Sequence, residues 1–319
     1  MRLFARARAQ RPALIVMEGT GLAGGLTLIA IDVLLGIPFV VSSGDAIGPY
    51  LRLRSRLAGV VGGLYERLLC RRCAAYIGWT PYLVGRSLTF GAPRAATAPG
   101  WTRSTTALDS RAIVRKQLGI EHKTLVFGIV GSLNWRERTG YAYGAELVRA
   151  ICMTDRRDVA VCIVGDGSGL ERLMEMAGDE LGRRVTLAGR VPPAEVPDYL
   201  AAFDVASLPQ SVDQVGSFRY TTKLSEYLAA ELPIVTGQIP AAYDLDEGWI
   251  WRLPGDAPWS EPYVQALASL MASVESDEVV AKRDAARQWS NKTFDLDSQQ
   301  KRICALIGDI LDERERIAR

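Results

Sequence analysis

Five short runs, apolar but for an occasional threonine or serine, constrain this 319-residue chain more than any other feature: 124–130, 159–164, 185–188, 205–208 and 233–236. Each is closed at once by glycine or proline (Gly131, Gly165, Gly189, Pro209, Gly237). Strands without a regular polar alternation belong to a parallel sheet covered on both faces, because the crossovers lay helices over it. Helical patterns at 141–153, 170–181, 193–202 and 223–230 fill the gaps. A helix at 111–118 precedes the set, one at 263–275 follows it, and 277–319 reads as charged and helical. The chain is therefore an α/β protein with a Rossmann-like second half.

The first hundred residues repeat the pattern in shorter form. An apolar run at 13–17 leads into a glycine-rich turn, a helix at 26–35 with Gly36 at its C-terminal cap, and a β-rich run at 38–43. A helix is read over 50–73, with Leu53, Leu57, Val60, Leu64 and Leu68 at helical spacing and six arginines off that stripe. Strands at 74–79 and 95–98 flank a helix that starts at Thr80-Pro81. Residues 99–110 are polar and turn-rich. We expect a domain at 1–104, a second at 105–292 and a closing helix at 293–319. Both domains are Rossmann-like parallel-sheet units, the N-terminal one incomplete.

Charge is distributed unevenly. Residues 1–100 hold 12 arginines, no lysine and four acids, so the rest of the chain is net acidic. Arg-rich 1–11 and 50–73 read either as lying on an anionic membrane surface or as the solvated face of a core helix. Residues 19–41 carry one charge, Asp32, and are long enough for a membrane span. Asp32 in the middle and Pro38 near the end favour a buried helix and strand instead. His122 is the only histidine, which argues against a Ser-His-Asp hydrolase and a His-rich zinc site. Five cysteines and no cleavable leader indicate a reducing cytoplasm, and Cys70–Cys73 is read as two buried thiols. No nucleic-acid motif appears, and no metal cluster or cofactor is expected.

Two glycine-containing motifs compete for a nucleotide. Gly19-Thr-Gly21-Leu-Ala-Gly24 between a strand and a helix, with Asp45 after the next strand, has the shape of a dinucleotide site. An NAD(P)-dependent oxidoreductase is the alternative it supports; a turn shaped for packing is favoured. The stronger signal lies at 221–237. Thr221 and Thr222 open a helix whose N-terminus offers free N–H groups and partial positive charge to a phosphate. Lys223 adds a cation. Glu226, one turn in, is placed to accept from two ribose hydroxyls.

This segment resembles the donor-nucleotide signature of GT-B glycosyltransferases, in particular the retaining group that includes glycosyltransferase family 4. In order along the chain, Gly128–Gly131 resembles the first strand of the nucleotide domain and 164–170 its "GDG" strand end. Next, 185–191 resembles the turn that touches the base, and 203–211 the "aD…PS" step. Val40 to Asp45 resembles, less specifically, the acceptor-domain strand that faces the cleft. The resemblance covers about 110–290. It implies transfer of a sugar from a UDP- or GDP-linked donor, with retention, the leaving phosphate helping to deprotonate the acceptor. Donor contacts would come from Gly131, Ser132, Arg136, Arg138, Gly189, Arg190, Val191, Thr221, Thr222, Lys223 and Glu226. Asp45 and Arg138 are the catalytic candidates.

The departures are specific. Where the family has two glutamates eight positions apart, Phe218 stands opposite Glu226, so sugar contacts fall to Asp213 or the backbone of 214–217. Ser132 replaces a basic residue, and Arg136 or Arg138 replaces the following lysine. The family's first strand and glycine loop look absent. The acceptor is open between a saccharide, a lipid-linked glycan and a small molecule. A non-catalytic GT-B-like protein bound at the membrane surface stays as a further alternative.

Overall fold

The structure, a computed structural model, describes residues 2–99, 110–293 and 296–318. The chain divides into two units. The first takes the described residues of 2–99, 214–221 and 296–318, and the second those of 110–213 and 222–293. The expected junction at 104/105 lies outside the described residues. The eight residues 214–221, read as part of the second domain, group with the first.

In the first unit α1 (Arg2–Gln10) leads to β1 (Ile15–Glu18), α2 (Leu22–Leu35), β2 (Phe39–Ser43), α3 (Ile47–Arg52), α4 (Arg56–Arg72), β3 (Ala75–Gly78), α5 (Pro81–Thr89) and β4 (Ala95–Thr97). The strands pair in parallel in chain order, β1-β2-β3-β4. The sheet steps one way only, so right-handed crossovers put its connecting helices on one face. There Phe39 and Val41 meet Leu28 and Ile31 of α2 and Leu69 of α4. The alternate side chains Val40, Ala75 and Ile77 point the other way. They are covered by Ile303, Leu306 and Ile310 of the C-terminal helix, Leu296–Ala318. That helix is tied down by Arg94 to Glu313, 2.5 Å, and by Arg302 donating to the Thr97 carbonyl.

Two expectations need correction. The helix read over 50–73 is two helices, because Ser55 in an extended conformation caps α4, its Oγ accepting from the Ala58 N–H at 3.1 Å. And the leucine stripe of α4 is not its buried face. Gly59, Gly62, Tyr65, Leu69 and Cys70 point inward, while Leu57, Val60 and Leu64 are 74%, 54% and 59% exposed. The reason is close approach. A Cβ at Gly62 would lie 2.9 Å from Leu51 and 3.2 Å from the Gly48 Cα, so α3 and α4 pack through glycine and the larger side chains face out. The early glycine-rich run also serves packing, since a Cβ at Gly25 would overlap the Tyr65 hydroxyl, which donates to the Gly21 carbonyl at 3.0 Å. No helix among the described residues is long and apolar enough to cross a membrane.

The second unit runs α6 (Ser110–Gln117), β5 (Leu125–Val130), α7 (Ala145–Ile151), β6 (Val159–Val164), α8 (Leu170–Ala177), β7 (Val185–Gly189), α9 (Val196–Ala201), β8 (Val205–Leu208), α10 (Thr222–Ala229), β9 (Ile234–Gly237), α11 (Pro240–Asp244), β10 (Ile250–Leu253), α12 (Glu261–Ser273) and α13 (Ser276–Thr293). All five runs are strands, and the sequence reading missed the strand β10 and the short helix α11. The parallel order is β10-β9-β8-β5-β6-β7. Its direction reverses between β5 and β8, and in such sheets the crevice beyond the carboxyl ends at that point receives the ligand.

At the opposite, amino end of the same two strands sits a buried polar knot. Asp204 accepts from Arg111 at 2.5 Å, from Arg115 at 2.6 Å and from the Val126 N–H at 2.8 Å. Arg115 spends its other donors on the carbonyls of Ala202, His122 and Thr124. Removing the acceptor strands a buried guanidinium, so Asp204→Ala should lower unfolding stability by about 3–5 kcal/mol in urea titrations. An Arg111→Ala variant, losing the more exposed partner, should lose less.

Candidate functional site

The carboxyl ends of β5, β6 and β7 are stepped together by glycine. The Gly131 N–H donates to the Val164 carbonyl at 2.9 Å, and the Gly165 N–H to the Gly189 carbonyl at 2.8 Å. A Cβ at Gly165 would overlap the Gly131 carbonyl, so this close step excludes any larger residue. Onto the end of β5 comes α10. A Cβ at Gly131 would sit 2.8 Å from Lys223 Cε and 3.0 Å from its Nζ. The lysine lies over the strand end only because position 131 is bare.

Tyr143 organises the charge. Lys223 Nζ lies 4.6 Å from its ring centroid and the Arg136 guanidinium 5.6 Å. Both are within cation–π range of one ring. No carboxylate forms an ion pair with either cation among the described residues; Lys223 feels the Glu226 carboxylate only through space, and the strand end stays net positive. Of the two arginines left open by the sequence, Arg136 is the one on this platform.

The loop that holds Tyr143 and Arg136 is itself fixed from below. Arg136 and Tyr141 pair as an antiparallel bridge, N–H to carbonyl at 2.9 Å. The Tyr141 hydroxyl donates to Glu146 at 2.7 Å, the Gly144 N–H to the same oxygen at 3.1 Å, and the Ser207 hydroxyl to the other oxygen at 2.8 Å. Glu146 is fully buried. Burial pushes its carboxyl above the ordinary value, and these donors oppose that shift. Neither Tyr143 nor Glu146 follows a periodicity or motif, so the sequence reading passed over both.

Glu226 is half-buried, one turn into α10. Burial raises its pKa and the Lys223 charge opposes the rise. Nothing donates a hydrogen bond to its carboxylate among the described residues, which leaves both oxygens for a ligand with adjacent hydroxyls.

The structure thus gathers Gly131, Arg136, Gly189, Lys223 and Glu226. Ser132, Arg138, Arg190 and Thr222 are exposed and Val191 is half-buried. Arg138 and Arg190 enter no ion pair among the described residues. Thr221 and Asp45 belong to the first unit. There Asp45 is exposed and pairs with Arg219 at 3.3 Å. Phe218, standing where the family has an acid, is also in the first unit. Its ring stacks on Tyr82 at 4.5 Å with 5° between planes, and the Arg86 guanidinium lies over it at 4.7 Å. In the second unit Asp213 accepts from the Ser211 hydroxyl at 2.9 Å.

Residues 124–273 match the family model described as glycosyl transferases group 1. No curated protein matches the sequence. Among solved structures the fold is similar to that of HepE from Anabaena, solved with UDP: 16% identity, 97% of this chain against 81% of HepE, TM-score 0.73. It is also similar to sucrose-phosphate synthase from Thermosynechococcus elongatus, with 14% identity, 98% and 77% coverage and TM-score 0.73. A glycosyltransferase from Rickettsia africae gives 10% identity, 97% and 80% coverage and TM-score 0.69. Residues 124–273 are thus similar to group 1 glycosyltransferase domains, and the two parallel-sheet units have the GT-B fold.

Proposed function

We propose that the protein moves a sugar from a uridine diphosphate-linked donor to an acceptor hydroxyl, with retention at the anomeric carbon. The carrying observation is the pair of unpartnered cations on Tyr143 at the switch point, with an unpartnered carboxylate one turn away. In this reading Lys223, Arg136 and the N-terminus of α10 take the diphosphate, and Glu226 takes the ribose. The bond from anomeric carbon to diphosphate oxygen breaks, a bond to the acceptor oxygen forms, and the acceptor proton passes to the departing diphosphate. Stabilising that developing negative charge is the main catalytic task. UDP in the HepE structure supports the uridine choice. Asp45 stays the acceptor-side carboxylate, and Arg138 a second cation for the diphosphate.

UDP should raise the melting temperature by binding the native state alone. Lys223→Ala and Glu226→Ala should each weaken UDP by about 1.5–3 kcal/mol, roughly ten- to a hundredfold in Kd by calorimetry. Because burial raises the Glu226 pKa, its charged form costs the unliganded protein stability once the pH rises through that value. Glu226→Gln should therefore melt higher than wild type without UDP at neutral pH, yet lose most of the UDP-induced shift. Wild-type UDP affinity should start to fall on acidification at a higher pH than an ordinary carboxylate would give. A UDP response unaltered by these substitutions would refute the assignment.

The exposed stripe of α4 favours a second element of the reading: work at an anionic membrane surface. Leu57, Val60, Val61, Leu64 and Leu68 face solvent beside Arg56, Arg67, Arg71 and Arg72, a combination suited to the interface of acidic lipid. The protein should sediment with phosphatidylglycerol vesicles more than with phosphatidylcholine vesicles, and less as salt rises. Leu57→Asp with Leu64→Asp should abolish sedimentation while keeping the UDP shift. Equal sedimentation of that double variant would count against the membrane role.

A further inference from the structure

The first unit contains a cavity of about 540 Å³ walled by α3, α4, α5 and the segment 214–218. Three arginines line it, and they are used differently. Arg86 spends its charge on Glu66, through two hydrogen bonds of 2.9 and 2.7 Å, with its plane over Phe90 at 4.4 Å and Phe218 at 4.7 Å. Arg67 lies over Phe90 at 5.1 Å and Arg52 donates to Gln214 at 3.2 Å. Neither of these two has an acidic partner among the described residues, so the cavity keeps two free positive charges. Its apolar wall includes Val60 and Leu64, which also belong to the outward stripe of α4. The cavity is therefore continuous with an exposed hydrocarbon-like surface.

That juxtaposition selects the ligand. A small free anion gains nothing from Val60 and Leu64, and an uncharged chain gains nothing from Arg52 and Arg67. We propose that this cavity binds the phosphate head of a lipid amphiphile, with the hydrocarbon chain laid along the outward face of α4. The inference rests on the membrane-surface reading of α4 and is independent of the donor site.

Gly63 makes a clean test. It lines the cavity, and a Cβ there meets no atom within 4 Å. Gly63→Leu therefore fills the space, and leucine is the better helix former. The probe is dodecyl phosphate below its micelle-forming concentration, titrated calorimetrically into the full chain. Inorganic phosphate and dodecyl maltoside test head and tail alone. Dodecyl phosphate should bind wild type at least tenfold tighter than either control. It should bind at least tenfold more weakly to Gly63→Leu and to Arg67→Gln, and unchanged to Arg183→Gln, an exposed arginine of the second unit. Equal affinity for Gly63→Leu, shown folded by circular dichroism, overturns the proposal. So does inorganic phosphate or dodecyl maltoside binding as tightly as dodecyl phosphate. The UDP shift, measured on the same samples, should survive in every variant; its absence from wild type counts against the donor reading alone. Vesicle sedimentation without dodecyl phosphate binding overturns this proposal and leaves the membrane role standing.

Discussion

A carboxylate shut away from water drags the fold down unless donors are brought to it. Glu146 is such a group, and the donors it collects are the ones that shape the site: the Tyr141 hydroxyl, the Gly144 N–H and, from β8, the Ser207 hydroxyl. The first two belong to the loop leaving β5. Pinning them closes the Arg136–Tyr141 bridge and sets Tyr143 at the strand end, where Arg136 and Lys223 share its ring. Two like charges on one ring repel each other, so the arrangement is held by the packing beneath and not by its own contacts. A buried acid thus maintains a positively charged surface, and a diphosphate bound there, as proposed, would relieve the repulsion.

The first unit obeys a different constraint. Its sheet advances in one direction, so one face takes α2 and α4 and the other is closed by the last helix of the chain. The helix layer is thin because its contacts run through glycine: Gly25 under Tyr65, Gly62 against Gly48. Thin packing leaves the larger apolar residues of α4 with no internal partner. The basic residues around them keep such a surface dissolved, and the same residues would hold it to acidic lipid.

Much of this was legible in the sequence, for a physical reason. Central parallel strands are buried on both faces, so they appear as predominantly apolar runs without polar alternation, and glycine or proline marks where each must stop; 205–208 is legible to the residue. β10 was missed because it is an edge strand of four residues, IWRL, with Arg252 exposed in it. The α4 stripe misled because periodicity reports that apolar residues share a face, not which face is buried; glycines dictated that. At the site, the helix-start residues Lys223 and Glu226 were visible as chemistry, but Tyr143 and Glu146 act through tertiary contacts that no spacing encodes. Phe218 could be recognised as a departure from the family pattern, while its stacking on Tyr82 required the packing of the first unit.

The choice between arginine and lysine follows from the space available. All twelve basic residues in the first hundred are arginine. Arg86 shows what that permits: two parallel hydrogen bonds to Glu66 from the edge of the fork, while its flat face covers aromatic rings. A lysine in its place would keep one contact and lose the stacking. The same weakly hydrated fork suits Arg52 and Arg67, which stand beside apolar wall where a compact ammonium would cost more to strip of water. At the end of β5 the argument reverses. The passage over Gly131 is so narrow that a single Cβ would press on the side chain crossing it. A slim alkyl stem ending in a point charge suits that crossing, which Lys223 makes, while the Arg136 fork reaches the Tyr143 ring from its own loop.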